Sequence, residues 1–319
     1  MIKLERFDGN PIIQPIEQHE WESNLTFNPG AIYEDGKVHI IYRAVNKDFT
    51  SVLGYASSRD GLHIDERLPD PIYIPREDFE KKVGKGNSGC EDPRLVKVGD
   101  KIYMFYTAYD SRNPTRVALT SIKINDFLNK KWNWKRPVLI SPPSIDDKNA
   151  CVLPEKINGK YVIFHRIPPS IWVDFVDDLE FTGERWIKGH ILAKARKGKW
   201  DNEKIGIAAP PLKTKDGWLL IYHGVSSQDL KYRLGAMLLD LKNPTHVISR
   251  LDYPILEPEE WYENEGLRAG TVFACGAVII KGKLFVYYGG ADKYVCVATA
   301  NVKELLEELK EAPSLRFIL

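Results

Sequence analysis

The chain has 319 residues, 43% hydrophobic and 28% charged, with 45 basic and 44 acidic side chains for a net charge of +1. That balance suits a folded chain with a full core and excludes the polybasic footprint of a nucleic-acid or anionic-membrane partner. The opening residues, Met1 to Arg6, are charged, and no apolar run reaches the length of a membrane span, so no leader or membrane segment is expected and the location is read as cytoplasmic. The four cysteines, Cys90, Cys151, Cys275 and Cys296, form no C-x-x-C pair and lie in or beside apolar strand patterns. They read as buried free thiols, with no metal site and no cofactor expected.

The first twenty-odd residues, with Pro11 and Pro15, predict an extended arm that reaches round to the last strands. A hairpin plan then appears: Asn28 to Tyr33, a turn at Asp35-Gly36, and Val38 to Arg43. It returns as Asp92 to Val96, Gly99-Asp100 and Ile102 to Thr107, and again as Leu153 to Ile157, Asn158-Gly159 and Tyr161 to Arg166. The fourth copy is Ala209 to Leu212, Asp216-Gly217 and Trp218 to His223, and the fifth is Cys275 to Ile279, Gly282 and Leu284 to Tyr288. The turn glycines Gly36, Gly99, Gly159, Gly217 and Gly282 recur at intervals of 63, 60, 58 and 65 residues. Asn-Gly and Asp-Gly turns supply the positive φ that tight hairpins need. Further strand-like pieces, such as Leu53 to Ser57 and Val117 to Ser121, bring each repeat to about four strands, the content of a propeller blade. The expectation is an all-β chain: one five-bladed β-propeller over 1–319, with the N-terminal arm and a C-terminal helix. Two β-sandwiches are the rival. The helix is set by Val302, Leu305, Leu306 and Leu309 at helical spacing.

In a propeller the innermost strands converge on one axis. The second strands of the hairpins end in Arg43, Thr107, Arg166, His223 and Tyr288, while Asn28, Asp92 and Asn149 stand at the starts of first strands. Apolar positions match between repeats and polar ones differ, which points to chemistry rather than architecture for the polar set. Each residue also has a bland reading. Asp92 before Pro93 can form a turn, Arg43 and Arg166 can sit in buried ion pairs, His223 can be a satisfied core histidine, Lys204 can be a surface cation and Asp292 a turn residue. Together they suit a polyol substrate with a bound anion.

Several motifs occur in order: Glu91-Asp92-Pro93-Arg94, Phe164-His165-Arg166, Lys204-Ile205-Gly206, Trp218 to Val225, Leu234 to Asp240, and Tyr287-Tyr288-Gly289-Gly290-Ala291-Asp292. This set resembles glycoside hydrolase family 130, the β-mannoside phosphorylases and related mannosidases, over almost the whole chain. The resemblance implies a five-bladed propeller and an inverting phosphorolysis. Inorganic phosphate, a co-substrate rather than a cofactor, attacks a terminal β-mannosyl unit of an oligosaccharide and releases α-mannose 1-phosphate. It makes Asp92 the general acid, which in β-1,4-acting members works through a sugar hydroxyl. It places the phosphate ligands on Lys148, Asn149, Arg166, Lys204, His223 and Tyr232, with Lys148 where some members carry arginine. Sugar contacts fall on Asn28, Arg43, Arg94 and Asp292. An anionic nucleophile needs a cationic cradle in place of the second carboxylate of an inverting hydrolase.

The pattern looks closest to the members acting on β-1,2-linked mannobiose or oligomannan. The alternatives are a β-1,4-mannooligosaccharide or mannosylglucose phosphorylase, a β-mannosidase, or a non-catalytic glycan-binding propeller. Leu267 to Gly276 departs from the family pattern: Ala269, Gly270 and Ala274 stand where proline, asparagine and proline are expected, which bears on the acceptor side. Outer surfaces and the arm also leave room for self-association.

Overall fold

The computed structural model describes residues 1–312. At three of the five expected turns both central residues lie at positive φ: Asp35-Gly36, Asn158-Gly159 and Lys281-Gly282. These turns close antiparallel hairpins whose alternating side chains feed cores on both faces. The chain is mostly β-sheet, with three short α-helices and one turn of 3-10 helix among the described residues.

The first hairpin unit pairs Leu25–Glu34 with Lys37–Val45, and Thr50–Ser58 follows. The second pairs Ser88–Val98, Lys101–Tyr109 and Arg116–Lys123. A two-rung parallel contact, Thr50 opposite Ser88 and Ser51 opposite Gly89, joins these units into one eight-stranded sheet. The third unit contains Lys148–Val152, Tyr161–Ile167, Ser170–Val176 and His190–Ala193. The fourth contains Lys204–Ile207, Trp218–Val225, Tyr232–Leu239 and Val247–Arg250, and the fifth Val272–Ile280, Lys283–Gly290 and Tyr294–Asn301.

Two first strands differ from expectation. In the third unit the strand is Lys148–Val152 rather than Leu153 to Ile157; Pro154 has no N–H, and the ladder stops after Leu153 N–H reaches Val162 O. In the fourth it is Lys204–Ile207 rather than Ala209 to Leu212. Pro210-Pro211 interrupts pairing until the short strand Leu212–Lys213. Both shifts bring polar residues, Lys148, Asn149 and Lys204, onto the leading strands.

Neighbouring units share apolar clusters. Ile41 and Leu53 meet Leu95 and Met104; Val96 and Phe105 meet Val152 and Ile163; Cys151 and Phe164 meet Ile205 and Leu220. Leu219 and Ile221 meet Leu284 and Val286, and Val278 and Phe285 meet Ile40 and Tyr42. Each such side chain contributes about 1.5–3 kcal/mol on burial. The four thiols are free and buried in this packing. The arm behaves as expected: Glu5 and Arg6 pair with Thr299 and Ala298, and Ile13 with Val295. Helix Val302–Glu311 is capped by the Asn301 side chain, which accepts from the N–H groups of Lys303 and Glu304, and it buries Val302, Leu305, Leu306 and Leu309.

Candidate active site

A bulge occurs at the same place in four of the five leading strands: in Val272–Ile280 it lies between Phe273–Gly289 and Gly276–Tyr287, and in the other three it carries a polar residue. One extra residue lies between the pairs Phe27–Arg43 and Gly30–Ile41, between Glu91–Thr107 and Arg94–Phe105, and between Lys148–Arg166 and Cys151–Phe164. The residues entering these bulges are Asn28, Asp92 and Asn149, with φ of 46°, 53° and 56°. Short polar side chains are those that tolerate this left-handed region, and Pro29 and Pro93 follow where no ladder donor is required. The register also corrects the sequence reading of the ring. Phe273 faces Gly289, so Gly289, not Tyr288, matches Arg43, Thr107 and Arg166. Tyr288 instead donates its OH to the buried carboxylate of Glu263 at 2.8 Å. Gly289 leaves space that Asn28 fills: a Cβ there would stand 2.2 Å from Asn28 Oδ1.

One half of the site is acidic. Asp92 Oδ1 accepts from Asn28 Nδ2 at 2.9 Å and from Arg43 Nη1 at 3.2 Å. Arg43 also donates through Nη2 to Glu91 Oε1 at 2.9 Å and through Nε to Ser51 Oγ at 3.0 Å, with its plane 4.7 Å from the Phe27 ring centroid. Glu91 therefore shares Arg43 with Asp92. Burial raises the Glu91 carboxyl above its ordinary range; Arg43 pulls the other way and Asp92 adds to the rise. Asp292 is pushed up to about 6, chiefly by desolvation, with Arg43 opposing, Asp92 reinforcing and Arg268 opposing.

The other half is cationic and unpaired. Arg166 is 5% exposed, and no partner reaches its Nε. Asn149 has neither amide atom satisfied, and fully buried His223 has neither ring nitrogen satisfied. Among the described residues, Lys148, Arg166 and Lys204 form no ion pair. Burial drives the His223 pKa well below its ordinary value, reinforced by Arg166, Arg94, Lys204 and Lys148, and burial also lowers that of Arg166. Gly206 makes the cluster possible, because a Cβ there would lie 2.5 Å from His223 Nε2 and 2.9 Å from Arg166 Cδ. The Tyr232 ring lies against His223 at 5.6 Å, with Lys204 Nζ 5.3 Å from its centroid. Buried polar atoms without partners are costly, and a buried guanidinium is costlier still, so this arrangement calls for an anion.

Arg94 connects the halves in a way the sequence did not reveal. It is 1% exposed and donates to three backbone carbonyls: Asp92 O at 3.1 Å, Ile207 O at 2.7 Å and Ala208 O at 2.9 Å. The expected sugar contact is replaced by a clamp, since the guanidinium is spent on carbonyls beneath the site. Sequence reasoning also missed Arg268, 4.5 Å from the Tyr232 centroid, and Thr271, whose buried hydroxyl, like that of Thr107, has no partner. The only signal for Arg268 was its place in an atypical segment.

A surface concavity of about 750 Å³ lies elsewhere, between the arm and the C-terminal helix, lined by Lys3, Glu5, Lys283, Asn301, Glu304 and Glu308 among others. It is open and has no unsatisfied buried side chain in its lining. The unpaired polar atoms are the better guide to chemistry. Among the described residues no group of three or more His, Cys, Asp or Glu is placed to hold a metal ion, and no helix is long and apolar enough to cross a membrane.

Residues 3–311 match a family model described as beta-1,4-mannooligosaccharide phosphorylase. The chain is 41% identical over 314 residues to a 1,2-beta-oligomannan phosphorylase and 42% identical over 321 residues to a beta-1,2-mannobiose phosphorylase, both from Thermoanaerobacter sp. (strain X514). Each alignment covers 96% of this chain and 99% of the relative. Among solved structures it is similar to the beta-1,2-mannobiose phosphorylase from Listeria innocua in complex with beta-1,2-mannobiose. The TM-score is 0.81 at 26% identity, over 97% of this chain and 99% of that one. The chain is a member of glycoside hydrolase family 130.

Proposed function

We propose that this enzyme catalyses inverting phosphorolysis of β-linked mannosides, with β-1,2-mannobiose or oligomannan as the favoured substrate. The observation that carries the reading is the unpaired set Lys148, Asn149, Arg166, Lys204 and His223 facing an Arg43-held carboxylate pair. A water-using glycosidase needs a second carboxylate as base; this chemistry needs a dianion held in place. Phosphate held by the cationic half attacks the anomeric carbon from the face opposite the glycosidic oxygen. The new C–O bond forms as the glycosidic bond breaks, and Asp92 supplies the proton that the departing sugar takes up. The products are α-mannose 1-phosphate and a shortened saccharide. Arg43 and Asn28 fix Asp92, and Asp292 faces the sugar. Planar Arg166 suits paired contacts to phosphate oxygens, and neutral His223 supplies one N–H.

We also infer that the five units are the blades of one propeller domain. The shared apolar clusters and the pairing of the arm with the last strand support this. No cofactor enters the reaction as proposed.

The test is turnover of β-1,2- and β-1,4-mannobiose with and without phosphate, with mannose 1-phosphate as the readout. Phosphate-dependent release is expected, faster on the β-1,2 linkage. Equal release of free mannose without phosphate would rule the reading out. Asp92→Asn is expected to lower kcat by about 10²–10⁴-fold, the usual range for a lost general acid, with the fold retained.

A further inference from the structure

We propose that Arg268 is a phosphate-binding residue at the mouth of the site, receiving inorganic phosphate on its way in and holding the phosphate of mannose 1-phosphate on its way out. The inference rests on the phosphorolysis reading above and goes beyond it. Arg268 is carried by a loop that is fastened on every side. Its own N–H donates to Ala291 O at 3.0 Å, and Ala291 N–H donates to Thr271 O at 3.0 Å. Gly270 and Thr271 donate to Glu263 O at 3.0 and 3.1 Å, and Tyr232 N–H donates to Gly270 O at 3.0 Å. The backbone is therefore fixed between the Asp292 turn and the strand that carries Tyr232.

The side chain is free in a way the backbone is not. It is exposed, and among the described residues its guanidinium forms no hydrogen bond and no ion pair. It lies on the Tyr232 ring at 4.5 Å, and the same ring carries Lys204 Nζ at 5.3 Å. Two cations on one ring, beside a buried Arg166 that lacks a partner, repel one another. A dianion between them relieves that repulsion, and the guanidinium fork matches a phosphate's paired oxygens. The Arg268 backbone N–H donates to Ala291 O, next to Asp292, so the residue stands where the phosphate side meets the sugar side.

Loss of a charge-assisted hydrogen bond to phosphate costs about 1.5–3 kcal/mol, a factor of roughly 10 to 100 in affinity. Arg268→Ala should raise the KM for phosphate by that factor while the KM for β-1,2-mannobiose stays within about twofold. Arg268→Lys should recover part of the loss, because it keeps the charge without the fork, and Arg268→Glu should exceed the alanine effect. Calorimetric titration of the protein with inorganic phosphate alone gives a readout independent of turnover. If the wild type binds phosphate and Arg268→Ala binds it equally well, the Arg268 assignment fails while the phosphorolysis reading stands. A wild type that neither binds nor requires phosphate overturns the underlying reading instead. An equal rise in both KM values also overturns the assignment, since it makes Arg268 a general support of the mouth.

Discussion

Asp292 shows how a single side chain takes its chemistry from its setting. It sits at φ 52° just after Ala291 at φ 49°, a turn that directs the carboxyl toward Arg43 and the Asp92 pair. Desolvation and the two neighbouring carboxylates outweigh Arg43 and Arg268, and the group titrates at about 6 rather than in the ordinary range. The sign follows from that direction. Below about 4 the group is protonated in both folded and unfolded chains, and the stabilising preference of the folded state for the proton is fully present. That contribution is lost as pH rises through 6. For activity the direction reverses, because a carboxylate that accepts from sugar hydroxyls must be ionised. The kcat/KM for mannoside should fall as pH drops below about 6. In Asp292→Asn that acid limb should disappear on a lowered plateau, and an unchanged limb in the pH profile would remove Asp292 from the sugar contact.

At the scale of elements, five hairpins carry two successive sets of side chains. The first set holds the bulge residues and their partners. One residue earlier along the second strands comes another set, each bonded to a fully buried carboxylate. Tyr42 OH donates to Glu22 at 2.7 Å, Tyr106 OH donates to Glu80, His165 Nδ1 lies 2.8 Å from Asp147, Tyr222 OH donates to Asp201 at 2.8 Å and Tyr288 OH donates to Glu263 at 2.8 Å. Hydrogen bonds to charged groups are worth about 1.5–3 kcal/mol each, and here they tie loops and short helical turns outside the hairpins to the strands that bear the site. The sequence made the hairpins legible because turn chemistry and alternation are local signals. It did not reveal the buried carboxylates, since Glu22, Glu80, Asp147, Asp201 and Glu263 lie outside the repeated hairpin pattern and only the fold brings each to its aromatic or His165. The bulges were half legible: Asn28, Asp92 and Asn149 stood out as polar residues, but the extra residue that slips the register, and with it the exchange of Tyr288 for Gly289, depends on pairing. Gly206 tests this level. Gly206→Ala puts a methyl against His223 and Arg166, so the KM for phosphate should rise by about tenfold, the effect of a displacement worth about 1.4 kcal/mol, with the melting temperature close to that of the wild type. A variant with unchanged phosphate KM would show that the cradle tolerates this movement.

Across the whole molecule the site depends on units far apart in sequence being held in one place. Polar residues from the first four units and Asp292 from the fifth line it, and one apolar cluster that unites the fourth and fifth units, Val225, Tyr232, Phe273 and Cys275, reaches into it at the Tyr232 ring. Arg94 is the direct tie between the second and fourth units. It carries a charge into a region with 1% exposure and satisfies carbonyls of Asp92, Ile207 and Ala208. No nearby carboxylate is bonded to it among the described residues, so carbonyl dipoles alone offset its desolvation. The motif Glu91-Asp92-Pro93-Arg94 thus divides its labour: Asp92 accepts from Asn28 and Arg43, Glu91 shares Arg43, Pro93 occupies the bulge and Arg94 fastens the strand from below. Arg94→Met keeps much of the volume and removes the donors. Leaving buried carbonyls unpaired costs about 1–3 kcal/mol per group, so a loss of about 3 kcal/mol or more is expected in urea unfolding. The same variant should lower kcat even where it is fully folded, because the Asp92 carbonyl and the Lys204 strand lose their common anchor. If Arg94→Met unfolds at the wild-type midpoint and retains wild-type KM values for both substrates, then Arg94 is not the tie between the two halves of the site.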